Sequence, residues 1–222
     1  MSMYNFKNAL LDYRYLKDHG YAKKSSLKIV GDRYRLSKIA RNCLLRGAVE
    51  KKICLLRKKK LILAEEVKDR NLGIDWYNVL ITVESYLKGH TIFLADDGII
   101  RDASAVHASY RESAITKIAI EKIITALKLI NPGSIEVFLD SPISHSKIMA
   151  DNLKKKMNTQ LLFPISILLI HSADFKLKVF NGIVASSDSV IMDSTENIFD
   201  FPRFVLEYFF KLKVQKLELL TL

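Results

Sequence analysis

Hydrophobic positions in the first third of the chain keep a helical spacing. Phe6, Leu10, Leu11 and Leu16 mark one stripe until His19-Gly20 stops it, which predicts a helix followed by a break. The stretch Lys23 to Lys28 is polar and basic and reads as a connection. From Leu36 to Arg46, Leu36, Ile39, Ala40, Cys43 and Leu44 fall at i, i+3, i+4, i+7 and i+8. That spacing predicts a helix with one apolar face, and it leaves Lys38, Arg41 and Arg46 elsewhere on the cylinder.

Near Asn71 the pattern changes to short β-rich runs alternating with helical ones, which predicts βαβ units and a mainly parallel sheet. Strands are expected at Gly73-Ile74-Asp75, Thr91–Ala95, Ile135–Leu139, Ile165–Ile170 and Gly182–Ala185. Helical patterns cover Val79 to Glu84, Ser113 to Ile130, Ser144 to Met157, Ala173 to Val179 and Phe201 to Phe210. The expected division is therefore a helical region over 1–66 and an α/β domain over 67–222.

Charge sharpens that division. The first 60 residues hold 17 Lys and Arg against 4 Asp and Glu, and the remainder hold 18 against 20. A basic appendage beside a near-neutral domain is the footprint of a polyanion partner. Arg33, Arg35, Lys38, Arg41, Arg46 and the cluster Lys58, Lys59, Lys60 are its candidate phosphate contacts. Tyr13, Tyr15, Tyr21 and Tyr34 lie among them and could stack on unpaired bases or simply pack. A solvated, lysine-rich helical surface is the plain structural alternative. Cys43 and Cys54 lack the spacing of a zinc site and read as small buried hydrophobes of a reducing compartment. The longest apolar run, Ile165 to Ile170, is too short for a membrane span, and no signal-peptide core is present. A cytoplasmic protein without membrane contact is expected.

The strand ends carry the candidate chemistry. Asp75, Asp96-Asp97, Asp140, Asp174 and Asp188 each follow a predicted strand. One such aspartate is most simply a helix cap or turn residue. Five in succession point to a shared site, because ligands of open parallel α/β sheets bind at the carboxyl ends of the strands. Packed carboxylates repel one another unless a cation neutralises them, and a hard ion such as Mg²⁺ or Mn²⁺ suits oxygen donors.

These residues carry a family resemblance. Asp75-Trp76-Tyr77-Asn78-Val79-Leu80 resembles the opening motif of NYN domains, a branch of the PIN-like ribonucleases. Phe138-Leu139-Asp140, Ala173-Asp174 with Leu177, and Val184-Ala185-Ser186-Ser187-Asp188 are similar to its later acidic motifs, in the same order. The whole chain also resembles a prokaryotic family described only as a domain of unknown function. Two departures stand out. Trp76 occupies a position where NYN proteins usually have glycine, and the segment from the Asp96 strand through Tyr110 is an insertion.

The resemblance implies a three-layer PIN-like α/β domain preceded by a basic helical region. It implies a metal-dependent endoribonuclease in which Asp75, Asp140, Asp174 and Asp188 hold one or two Mg²⁺ or Mn²⁺ ions and Asn78 orients a ligand. Asp97, Arg101, Ser186 and Ser187 are accessory candidates, and Arg101 could equally pair with Asp97 or Asp102. His107 and His145 could contact phosphate. RNA is the implied partner, and homo-oligomerisation stays open. Two rival readings are a non-catalytic PIN-like module binding RNA or protein, and a metal-dependent phosphohydrolase acting on a small nucleotide.

Overall fold

A computed structural model describes residues 3–104 and 110–220; His107 lies outside them. Tertiary contacts divide the chain into two units. One takes Met1–Lys59, Gly89–Ala105 and Lys213–Leu222, and the other takes Lys60–Lys88 and Val106–Leu212. The first therefore holds two segments that the sequence assigns to the α/β domain, so the expected single boundary at residue 66 does not describe the packing.

In the first unit, numbering elements in chain order, α1 (Met3–Asp18), α2 (Lys23–Arg33), α3 (Lys38–Gly47) and α4 (Lys51–Lys59) surround an apolar core. Phe6, Leu10, Tyr13, Ala40, Cys43 and Leu44 are fully buried in it. Ser37 caps α3 by accepting a hydrogen bond from the Ala40 amide, as expected of a serine before an apolar helical run. The stretch from Lys23 is the start of α2, not a connection. Its charged face gives no periodic apolar signal, and only Ser26, Val30 and Gly31 are buried.

Inserted into the same unit is an antiparallel pair, β2 (Ile92–Leu94) and β3 (Ile100–Asp102). It is not part of the parallel sheet. Phe93 and Leu217 fill the space over Gly47, where an added Cβ would come within 3.0 Å of both side chains. Leu94 also bridges to Lys216, so the chain's last residues belong here by pairing as well as by packing.

The turn between β2 and β3 holds a buried charge cluster. Asp97 is wholly buried and accepts bonds from Arg101 at 2.7 and 2.8 Å and from Arg57 at 2.9 Å. Burial alone would raise the Asp97 pKa, but the two guanidiniums overcome it and hold the carboxyl below its ordinary value. Asp97 and Arg101 are therefore structural partners of one another, which answers their expected accessory role.

The second unit is built on a five-stranded parallel sheet. Its strands are β1 (Asn71–Asp75), β4 (Ser134–Asp140), β5 (Ile165–Ile170), β6 (Ile183–Ala185) and β7 (Asn197–Ile198), in the order β5-β4-β1-β6-β7. The chain builds outward from β1 to β4 and β5, then returns to the far side of β1 for β6 and β7. The strand order thus reverses beside β1. Ligand crevices of open α/β sheets form at such a switch point, outside the carboxyl ends of the strands.

Helices cover the sheet to give a three-layer α/β fold. On one side α5 (Trp76–Leu87) packs on β1 and β4, with α6 (Ala114–Ile130) and α10 (Phe201–Phe210) against it. α5 is buried from Trp76 through Ser85, because it lies between the sheet and its neighbours. On the other side α7 (Ser146–Gln160) packs on β5 and β4, and α8 (Ala173–Leu177) on β1 and β4, with α9 (Ser189–Ser194) beside α8. The short elements α9 and β7 escape prediction from periodicity. Gly73 lets α8 approach β1: a Cβ there would lie 3.0 Å from the Phe180 ring and 3.2 Å from Leu177.

No helix among the described residues is long and apolar enough to cross a membrane. Asp97→Asn should destabilise the protein by about 3–5 kcal/mol, because two buried guanidiniums lose their counter-charge. Urea denaturation followed by helical circular dichroism measures this. A depressed carboxyl stabilises the fold above about pH 4 and loses that contribution as pH falls through its folded-state value. Wild type and variant should therefore converge in stability in acid.

Candidate functional site

Asp75 is the last residue of the central strand and the N-cap of α5. Its neighbours across the sheet are Phe138 of β4 and, one residue back, the pair Ile74 and Ala185. The strand ends of β1, β4 and β6 therefore lie side by side, and each ends in or is followed by an acidic or hydroxyl side chain. Trp76 begins α5 without a left-handed backbone, so the position has no need of glycine.

Serine 186 ties two of these ends together. Ser186 Oγ donates to Asp75 Oδ2 at 2.7 Å and accepts from the Asp188 amide at 3.1 Å. Asp188 then caps α9: its Oδ1 accepts from the Val190 amide at 2.8 Å and from the Ile191 amide at 3.2 Å. Asp140, at the end of β4, accepts from the Ala173 amide through Oδ1 at 2.8 Å. That bond fixes the start of α8 and with it Asp174. The aspartates thus hold backbone as well as presenting charge.

Asn78, expected to orient a ligand, is tied into the fold through its side-chain oxygen. It is buried, and its Oδ1 accepts from both the amide and the hydroxyl of Ser187, at 2.9 and 3.0 Å. It therefore locks the loop after β6 to the first turn of α5. Ser187 serves that lock, while Ser186 serves Asp75.

The electrostatics show that the four aspartates share a neighbourhood. Burial raises the Asp75 pKa to about 7, the charges of Asp140, Asp174 and Asp188 add to the rise, and only the Ser186 bond opposes it. Asp174 is raised by desolvation and then by Asp188 and Asp140. Asp96 and Asp97 belong to the other unit, where Asp96 is held by Arg14 and the Val49 amide. The expected set of five strand ends is thus reduced to four.

Tyr77, part of the Asp75–Leu80 motif but not among the expected site residues, also feels this site. Its pKa is raised to about 12 by burial first, then by the charges of Glu112 and Asp140. Its ring packs on Tyr110 at 5.3 Å. Only its position between Asp75 and Asn78 could have pointed to it.

The residues can be asked directly whether they suit a divalent cation. Four mutually repelling carboxylates, one of them buried, make up the donor chemistry of a hard ion. Among the described residues, however, no three His, Cys, Asp or Glu side chains form a group that could hold a metal. An ion here would have to be held through one or two carboxylates together with solvent and substrate oxygens. The carboxylates do not form an all-protein cage.

The expected nucleic-acid contacts fall into two groups. Arg41 bonds Asp32 and the Leu36 carbonyl, and Arg46 pairs with Asp102. Lys60, in the sheet unit, donates to the Met192 and Asp193 carbonyls at the end of α9. These three are engaged within the fold. Arg35, Lys38, Lys58 and Lys59 are exposed and make no ion pair among the described residues, and Arg33 lies near Asp12 at 3.9 Å. Arg57 is buried with Asp97. Tyr13 is buried and Tyr34 donates to Asp12, which leaves Tyr15 and Tyr21 exposed. Cys43 is buried, and burial raises its thiol pKa to about 12. Cys54 is only half-buried, with its thiol on the Asp96 carbonyl.

Fold and site together define an α/β protein with a group of acidic side chains at the switch point of a parallel sheet. By sequence the chain belongs to the family described as "Domain of unknown function (DUF5616)", which matches residues 64–204. Residues 5–60 match a second family, "Protein of unknown function (DUF434)". An uncharacterised protein of Methanocaldococcus jannaschii is 34% identical over 196 residues, covering 87% of this chain and 91% of that relative. No solved structure matches the chain.

The raised Asp75 pKa has a measurable signature. A carboxyl lifted to about 7 is destabilising in its charged form, so its contribution to stability declines as pH rises from about 4 through 7. A ¹³C NMR titration should find the Asp75 midpoint near neutrality. Asp188→Asn should move that midpoint down, because one repelling charge is gone while the helix cap is kept.

Proposed function

We propose that this protein is a cytoplasmic, metal-dependent ribonuclease of PIN-like character, hydrolysing phosphodiester bonds at the switch-point crevice. The observation that carries this reading is the convergence of Asp75, Asp140, Asp174 and Asp188 at the strand ends, with Asp75 buried. Charge crowding of that kind is costly to the fold and marks sites where a cation and an anionic substrate are handled together.

A Mg²⁺ or Mn²⁺ ion held by Asp75 and its acidic neighbours would supply Lewis acidity toward a phosphodiester and a nucleophile at neutral pH. The chain's own groups do the positioning. Ser186 holds one oxygen of Asp75 and leaves the other outside that bond. The Asp188 cap leaves Oδ2 uninvolved in the helix bonds. Asn78, through Ser187, fixes the distance between the ends of β1 and β6. The exposed Arg35, Lys38, Lys58 and Lys59 supply sequence-independent attraction to phosphates.

A second reading is favoured by one specific observation. Because no described group of three side chains could hold a metal, the same crevice is compatible with an RNA- or protein-binding module that does not cleave. Mn²⁺-dependent cleavage of a mixed RNA pool separates the two. The ribonuclease reading expects Asp75→Asn and Asp188→Asn each to lower kcat by about 100-fold or more. A wild type as inactive as both variants across the pool would sink it.

RNA affinity should also fall steeply with salt, with log Kd changing by about 0.7 per neutralised phosphate for each unit of log salt. Lys38→Gln and Lys59→Gln should each lower that slope by about one contact. Fluorescence anisotropy between low and physiological salt reads it, and a slope unmoved by either change would remove those lysines from the interface.

A further inference from the structure

An open cleft of about 620 Å³ is lined by Arg111, Glu112, Ser144, His145 and Ile148. All five belong to the unit that holds the aspartates. Ser144 and His145 arrive there because the chain turns back directly after Asp140. The Ile143 amide bonds the Asp140 carbonyl at 3.3 Å, and the Ser146 hydroxyl bonds the Ser141 carbonyl at 3.1 Å. One rim of the cleft is thus the continuation of an acidic strand end.

The other rim is anchored just as firmly. Tyr110 is buried, donates to Glu84 at 2.6 Å and packs on Tyr77. Arg111 and Glu112 follow it immediately and lead into α6. Tyr77 lies within the fields of both Glu112 and Asp140, so the cleft and the carboxylates are neighbours. The Arg111 and His145 side chains are exposed and form no ion pair or hydrogen bond among the described residues.

The chemistry of the lining is that of a nucleotide next to a reacting one. A crowd of carboxylates repels the other phosphates of a substrate, so a chain passing through needs positive charge close by. A guanidinium fork matches a phosphate better than any other side chain. Ser144 and His145 add hydrogen-bond donors. Glu112 would repel a bare phosphate, but it accepts hydrogen bonds from ribose hydroxyls, which distinguish RNA. Ile148, more than half exposed, offers apolar surface to a sugar or base.

We propose that this cleft is a subsite for the nucleotide adjoining the scissile phosphodiester, with Arg111 on its phosphate and Glu112 on its ribose. The substrate is therefore an RNA chain and not a mononucleotide. This rests on the ribonuclease reading, and the test separates the two.

The full-length protein with Mn²⁺ is assayed on a fluorogenic RNA hexanucleotide and on bis(p-nitrophenyl) phosphate, a diester with no second phosphate. In Arg111→Gln the ratio of kcat/KM for the hexanucleotide to that for the small diester should fall about tenfold, the size of one charge-assisted contact. An unchanged ratio overturns the subsite. A 5′-labelled uridine trinucleotide, titrated in EDTA, gives a second readout that needs no turnover. Its Kd should weaken about tenfold in Arg111→Gln and also weaken in Ser144→Ala. If both variants bind it as wild type does, the subsite is wrong whatever the hydrolysis shows. Weakened binding with no hydrolysis of either substrate by wild type would retire the ribonuclease reading and keep the cleft as a nucleotide site.

Discussion

A carboxylate buried at the end of a central strand has few ways to persist, and the sheet unit is arranged around the one at Asp75. Water cannot solvate it, three other aspartates push against it, and one serine hydroxyl supports it. The surrounding bonds run outward from that point. Ser186 connects Asp75 to the start of α9, Ser187 connects to Asn78 on α5, and Asp140 connects to the start of α8. Each bond fixes a helix by its first turn to the strand that precedes or adjoins it. The mutual repulsion is thus held in place by backbone amides, which do not move without unwinding a helix end.

The same logic explains what the sequence could and could not disclose. Strands such as Ile135–Leu139 and the aspartate after them were legible because a short apolar run bounded by polar turns has few alternatives. The four acidic positions around the parallel sheet were legible for that reason. Asp97 looks identical in sequence, an aspartate after a β-rich run, yet it neutralises Arg57 and Arg101 inside an antiparallel hairpin. The local sequence offers Arg101, four residues on, but the second partner that buries the cluster, Arg57, is 40 residues away. Helix α2 was illegible for the opposite reason: too few of its side chains are buried to leave a period.

Most arginines of the basic unit are paired inside it, although Arg35 is exposed and Lys17 is buried on the Ala48 carbonyl. Arg14, Arg41, Arg46, Arg57 and Arg101 all have acidic partners within the unit. Lys38, Lys58 and Lys59 face solvent. The rigid guanidinium fork suits fixed internal pairing, whereas an ammonium on a flexible stem suits a mobile polyanion. A count of positive charges overstates the surface field for this reason, and the composition of the first 60 residues cannot say which charges are turned inward.

Asp188 deserves a last look as a position with two separable duties. Its Oδ1 ends a helix, and its charge contributes to the crowd around Asp75. Asparagine would perform the first duty about as well and the second not at all. Among descendants of a common ancestor, drift from Asp to Asn at this place would cost the fold little, so it would record the moment a lineage stopped needing the charge. The residue at 188 would then serve as a dated marker of lost chemistry in chains that still look intact.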